Sequence, residues 1–131
     1  MDRRTLGLGL GLGLLLAAAT ASAETSPSLI GPVSDILVSE DRSGPQQEGC
    51  QTFTVSAAMV ADFLRHAILI TPRQEHDWYL YGPCQAHGTL RTRYGEWQWQ
   101  LLNLGTARIT AVTGDSFILA DPREESSLEG E

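Results

Sequence analysis

From Thr52 to Val55 the chain alternates in the manner of a strand, and at Ser56 the spacing of apolar residues lengthens to three and four. Met59, Val60, Phe63, Leu64, Ala67 and Ile68 then share one side of a helix, with Asp62, Arg65 and His66 on the other. Ser56 stands where an N-cap is needed and Pro72 stops the helix beyond Ile70, so the pattern predicts one amphipathic helix of about thirteen residues.

Everything after Pro72 reads as strands. Trp78-Tyr79-Leu80-Tyr81 is the first, and Gly82-Pro83 bends the chain into Cys84. Along Cys84 to Tyr94 the alternation is regular: Cys84, Ala86, Gly88, Leu90, Thr92 and Tyr94 on one face, Gln85, His87, Thr89, Arg91 and Arg93 on the other. Gly95-Glu96 suits a two-residue hairpin turn, which would set Tyr94 opposite Trp97, Thr92 opposite Trp99 and Leu90 opposite Leu101. The same register faces Arg93 with Gln98 and Arg91 with Gln100. A strand over 106–113, a tight turn at Gly114-Asp115 and a last strand at Phe117-Ile118-Leu119 complete the sheet, and Asp121-Pro122 ends the domain. The expected fold is α+β, one amphipathic helix on a four- to five-stranded antiparallel meander, cystatin-like in outline. A likeness at that level carries no function.

The ends of the chain differ from this middle. Residues 1–23 have the parts of a secretory signal peptide: Arg3 and Arg4, an apolar run from Leu6 to Ala19, and the small-residue cleavage site Ala21-Ser22-Ala23. The apolar run is shorter than the roughly 20 residues of a spanning helix. The expectation is a chain beginning at Glu24, periplasmic or secreted, with no membrane insertion after cleavage. Residues 24–49, punctuated by Pro27, Pro32, Gly44 and Pro45, read as an acidic extended arm in which Ile36-Leu37-Val38 adds a short edge strand. The domain is expected over 50–122, followed by a Glu- and Ser-rich disordered tail over 123–131.

Charge and composition narrow the chemistry. The 131 residues carry nine basic side chains, all arginine, against 16 acids, for a net charge of −7. Without lysine there is no Schiff-base amine and no P-loop lysine. Residues 50–120 hold five acids and five arginines, whereas 24–49 and 121–131 each hold five acids and one arginine. A neutral domain between acidic flanks is unsuited to nucleic acid, whose phosphates need a basic surface.

Cys50 and Cys84 are the two cysteines of the chain. In an oxidising compartment such a pair is most simply a structural disulfide, because catalytic redox pairs sit close together as in C-x-x-C. The run from Cys50 to about Leu119 resembles a widespread family of small secreted bacterial proteins of unknown function. The shared residues are Cys50-x-x-Phe53, Val60-x-x-Phe63, Ala67, His76, Pro83-Cys84, Gly88-x-Leu90 and Trp99. A Trp-Ser-Pro-Cys run of that family is here Tyr81-Gly82-Pro83-Cys84. The resemblance implies export and a disulfide, and no chemistry.

Candidate reactive groups are few. His66, His76 and His87 are scattered, where a zinc site needs three or four converging ligands, so neither metal nor cofactor is expected. No G-x-S-x-G nucleophile motif is present, and paired cysteines leave no thiolate. Glu75, Asp77 and Glu96 lie near aromatics but read as solvated turn acids. The clustered aromatics Trp78, Tyr79, Tyr81, Tyr94, Trp97 and Trp99 are candidates to line a groove for a peptide or sugar, but Trp97 and Trp99 sit on the apolar face and are expected in the core, Tyr79 and Tyr81 less so. The polar sheet face is the most suggestive surface: His87, Arg91, Arg93, Gln98 and Gln100, with Gln85 and Thr89, would form one patch, and its arginines suit bidentate contacts to carboxylates. A solvated sheet face has the same composition. The leading expectation is a non-enzymatic exported binding or accessory module taking a protein or peptide on that face. The alternatives are a small hydrolase or ligand-binding protein with an aromatic pocket near His76, and a structural envelope protein.

Overall fold

The structure, a computed structural model, describes residues 27–125. The leader read at 1–23 and the part of the acidic tail beyond residue 125 lie outside the described residues. Among the described residues are six strands and two helices. In chain order they are β1 (Ser34–Ser43), α1 (Ala57–His66), β2 (Ile68–Ile70), α2 (Pro72–Trp78), β3 (Gln85–Thr92), β4 (Gly95–Leu102), β5 (Thr106–Ala111) and β6 (Ser116–Ala120). The strands form one antiparallel sheet in the order β1-β3-β4-β5-β6-β2. The class is therefore α+β, with more strands and one more helix than the periodicity predicts.

The meander β3 to β6 is the expected one, and its inner face is the core. Ala86, Leu90, Trp97, Trp99, Leu101, Ala107, Ile109 and Leu119 pack with Val60, Phe63 and Leu64 of α1. Each large side chain buried in this way contributes roughly 1.5–3 kcal/mol. Ser56 caps α1 by accepting a hydrogen bond from the Met59 N–H at 3.2 Å.

Four expectations are corrected. The helix has ten residues rather than thirteen, because Ala67 leaves helical geometry (ψ 146°) and Ile68-Leu69-Ile70 pairs with Ile118, Leu119 and Ala120 instead. A run of bulky apolar residues, two of the three β-branched, beside an open strand edge gains more from pairing than from another helical turn.

The segment Trp78–Tyr81 is not a strand. Thr71, Pro72 and Gln74 form a capped helix start: the Thr71 hydroxyl accepts from the Gln74 N–H at 3.1 Å, and the Gln74 side chain accepts from the Thr71 N–H at 2.8 Å. Tyr79 follows this helix and packs with Ile70 and Ala120 on the outer face of the sheet.

The β3–β4 register is displaced. Thr92 pairs with Gly95, and Leu90 faces Trp97 rather than Leu101. A turn centred on Gly95-Glu96 would, as type II′, also place its positive φ on Gly95, so the glycine suits either corner. Arg93 and Tyr94 form the corner instead and Gly95 takes φ +114° after it. Thr92 secures the corner, its hydroxyl accepting from the Tyr94 N–H at 3.1 Å and from the Trp97 indole at 2.8 Å. The displacement is even, so the side chains that remain within the two strands keep their expected faces.

The acidic arm, finally, carries a ten-residue edge strand against β3, longer than Ile36–Val38, with Val33 buried beside it. Cys50 and Cys84 are bonded to each other, Cα–Cα 5.2 Å, and tie the entry of α1 to the foot of β3 as expected.

Candidate functional site

The outer face of β3, β4 and β5 is a shallow groove. The registers His87–Gln100–Arg108 and Thr89–Gln98–Thr110 lay two cross-strand rows of polar side chains across it. Ser39 from β1 and Ser116 from β6 complete the sides, enclosing about 490 Å³. Of the predicted patch, His87, Gln98 and Gln100 line this groove. Arg91 lies beyond it at the turn end of β3, opposite Glu96. Arg93 is in the corner and leaves the sheet face: its guanidinium lies 5.1 Å from the centre of the Tyr94 ring and donates to the Tyr94 hydroxyl at 3.0 Å. The pairs Arg93–Gln98 and Arg91–Gln100 are thereby replaced by Thr89–Gln98 and His87–Gln100.

The charged groups here already have partners. The His87 Nε2 donates to Glu40 Oε1 at 3.1 Å, and Arg91 lies 3.5 Å from Glu96. Both contacts are half-exposed, and pairs of that kind are worth about 0–1 kcal/mol, so an incoming group can exchange with them. Gln100 donates to Gln85, fixing both amides along one flank of the groove.

Arg108 is the residue the sequence reading missed. It donates both terminal nitrogens to Glu75 of α2, at 3.2 and 3.0 Å, and Glu75 is only 23% exposed. The signal was present in the alternation of 106–111, which puts Arg108 and Thr110 on the same side of β5. The contact pins α2 across the outer face and makes Arg108 a wall shared by two cavities.

The second cavity, of about 450 Å³, is lined by Glu75, His76, Tyr79, Tyr81, Thr106 and Arg108 among others. An aromatic pocket is one expectation for the surroundings of His76, and His76 is among the residues lining this cavity. His76 turns outward, 88% exposed, and donates to Asp77 at 3.0 Å. Tyr79 is buried, and among the described residues its hydroxyl is the one buried side-chain polar atom without a partner. Burial pushes this phenol up from its ordinary value, with help from the negative charges of Glu125 and Asp121.

The remaining candidates stay apart. His66 donates to the Asp62 carbonyl at 3.0 Å, far in sequence from the sites of His76 and His87. The described residues bring no three metal-ligating side chains together. Glu75, Asp77 and Glu96 are each taken up by arginine: Arg108, Arg73 and Arg91. Hydrogen bonds from His76 and Arg73 hold the Asp77 carboxyl below the usual carboxylate range. Comparison of the chain with protein-family models, curated proteins and solved structures finds no match.

Proposed function

We propose that this protein is an exported, non-enzymatic binding module that takes an extended peptide or a protein loop in the outer-face groove. One observation carries the reading: two rows of amide, hydroxyl and imidazole groups cross three adjacent strands, with the arginine of Arg108 at one end. Such a surface offers donors and acceptors at strand spacing, and alternate side chains of an extended ligand meet it two residues apart. Arg108, Arg91 and His87 favour a ligand with acidic side chains, which would compete with Glu75, Glu96 and Glu40 for them.

Export is part of the proposal. It is supported by the 1–23 leader and by the Cys50–Cys84 bond, a feature of oxidising compartments. No helix of the described residues is long and apolar enough to cross a membrane. The resemblance to small secreted bacterial proteins and the cystatin-like outline belong to the same proposal and add no partner. Intact mass of the exported chain tests the leader: the expected N-terminus is Glu24, and a retained Met1 refutes cleavage.

Amide chemical-shift mapping with pooled acidic peptides tests the groove. Shifts should concentrate on His87, Thr89, Gln98, Gln100, Arg108 and Thr110 and fade with added salt. Shifts confined to other surfaces would refute the assignment.

A second reading, a small-ligand site in the pocket beside Tyr79, is favoured by that unpartnered hydroxyl. A buried polar atom without a partner costs about 1–3 kcal/mol, which a ligand acceptor would recover. It predicts that Tyr79→Phe weakens ligand binding while leaving the fold as stable or more so.

A further inference from the structure

The opposite face of the sheet is only partly covered. Where α1 ends, Trp97, Ile109 and Phe117 continue the core face into a groove of about 390 Å³. Its rim is apolar and open: Leu29 is 47% exposed, Leu69 56%, Tyr94 61% and Val112 71%. Isolated exposed apolar residues are ordinary, but a contiguous, concave set of them marks a binding surface. The volume lies within the range of small-molecule pockets, about 300–1,000 Å³.

Polarity at the mouth selects the occupant. Among the described residues Asp115 is the one acidic lining residue, and its Oδ2 accepts from the neighbouring Thr113 hydroxyl alone, at 2.7 Å. Among the described residues no arginine or histidine is ion-paired with it. The aromatic rings of Trp97 and Phe117 lie 6.3 Å apart, tilted at 49°, with Tyr94 on the rim. Ring faces and a free carboxylate both attract a cation. Arg93 already rests on the Tyr94 ring and is not part of the lining. The same charge argument disfavours the chain's acidic C-terminal tail and a second copy. Residues 121–131 carry five acids and the whole chain −7, so both would bring negative charge to Asp115.

We propose that this groove binds an amphiphilic organic cation, its apolar body against Trp97 and Phe117 and its charged end at Asp115. The site lies on the face away from the polar groove and does not depend on that groove's assignment.

The test uses the full protein and three probes of equal chain length: octyltrimethylammonium, octyl glucoside and octanoate. Amide and indole chemical shifts at Trp97, Ile109, Val112 and Phe117 report occupancy. The expected order is cation, then neutral, then anion, with the cation at least about tenfold tighter than octanoate, a difference of about 1.4 kcal/mol. Asp115→Asn should reduce that preference several-fold while the neutral probe is unaffected. Val112→Arg, at the most exposed rim position, should weaken the cation and favour octanoate. The proposal is overturned if no probe shifts these residues, if the three bind alike, or if Asp115→Asn leaves the cation's preference intact.

Discussion

Gly88→Ala is the sharpest single test of how the edge strand joins the sheet. Gly88 sits on β3 opposite Trp99 of β4 and Val38 of β1. A β-carbon added there would collide with the carbonyl of Leu37 and lie 2.7 Å from Trp99 Cζ2. Neither neighbour is a flexible chain end. One is the backbone of β1; the other is an indole that is 3% exposed and held by its own hydrogen bond to the Thr89 carbonyl, 3.0 Å. Overpacking against such neighbours costs about 1–3 kcal/mol when the surroundings can give. Here relief requires β1 to move off β3, which also forfeits the burial of Val33, so the expected cost is about 3 kcal/mol. Urea unfolding followed by tryptophan fluorescence gives the stability, and amide exchange across 34–43 reports the edge strand. Loss of protection in β1 before the rest of the sheet is the expected signature. A variant within about 0.5 kcal/mol of the parent, with β1 amides still protected, would refute the close approach.

Other perturbations separate face from core and staple from surface. Cys84→Ser opens a loop with a sequence separation of 34 and should cost about 3–4 kcal/mol in the chain-entropy model, read from urea midpoints; an unchanged midpoint refutes a structural role. Arg91→Gln with Arg93→Gln should change stability by less than about 0.5 kcal/mol, since both side chains are on the surface, whereas Trp99→Ala should cost about 3–5 kcal/mol; the reverse order would mean that the sheet faces are inverted. Hydrogen bonds from Arg123 hold the buried Asp121 carboxyl below its ordinary value, and the same guanidinium reaches Asp62 on α1 at 3.0 Å. Because the folded value is depressed, this clamp is fully stabilising above the unfolded value near about 3.9 and is lost as pH falls through the folded one. Asp121→Asn should therefore flatten the acid limb of stability against pH, and an unchanged limb would refute the clamp.

Much of the meander was legible because strand parity is a local property. Ala86, Leu90, Trp97, Trp99 and Leu101 alternate with polar residues whatever they pair with, and all five are buried. What pairs with what is a non-local property, and the positive φ of Gly95 is compatible with either corner. The sequence pattern puts Gly95 first in the turn, whereas in the structure it follows the Arg93-Tyr94 corner. The same locality explains the two missed elements. Ile68-Leu69-Ile70 extends the helical spacing of α1, and only the open edge of β6 makes it a strand. Thr71-Pro72-Arg73-Gln74 spelled a helix start in sequence, but Trp78–Tyr81, with its strand-forming residues, outweighed it.

The candidate site inherits both the strength and the weakness of that reading. An even displacement of register leaves faces untouched, so His87, Gln98 and Gln100 remain on the outer face and line one groove. It changes neighbours, and neighbours decide charge. Arg93 sits in the corner, Arg91 faces Glu96, and the arginine that lines the groove is Arg108 of β5. The positive character of the face therefore rests on Arg108, and Arg108 is tied to α2, the element that periodicity did not reveal. Any ligand that engages its guanidinium must displace Glu75 from it or bind alongside. The recognition proposed for this face would thus be coupled to the docking of a seven-residue helix that contributes no fully buried side chain of its own. The Arg108 pair ties this helix to β5, Tyr79 packs behind it with Ile70 and Ala120, and Arg108 lines both the groove and the pocket beside Tyr79.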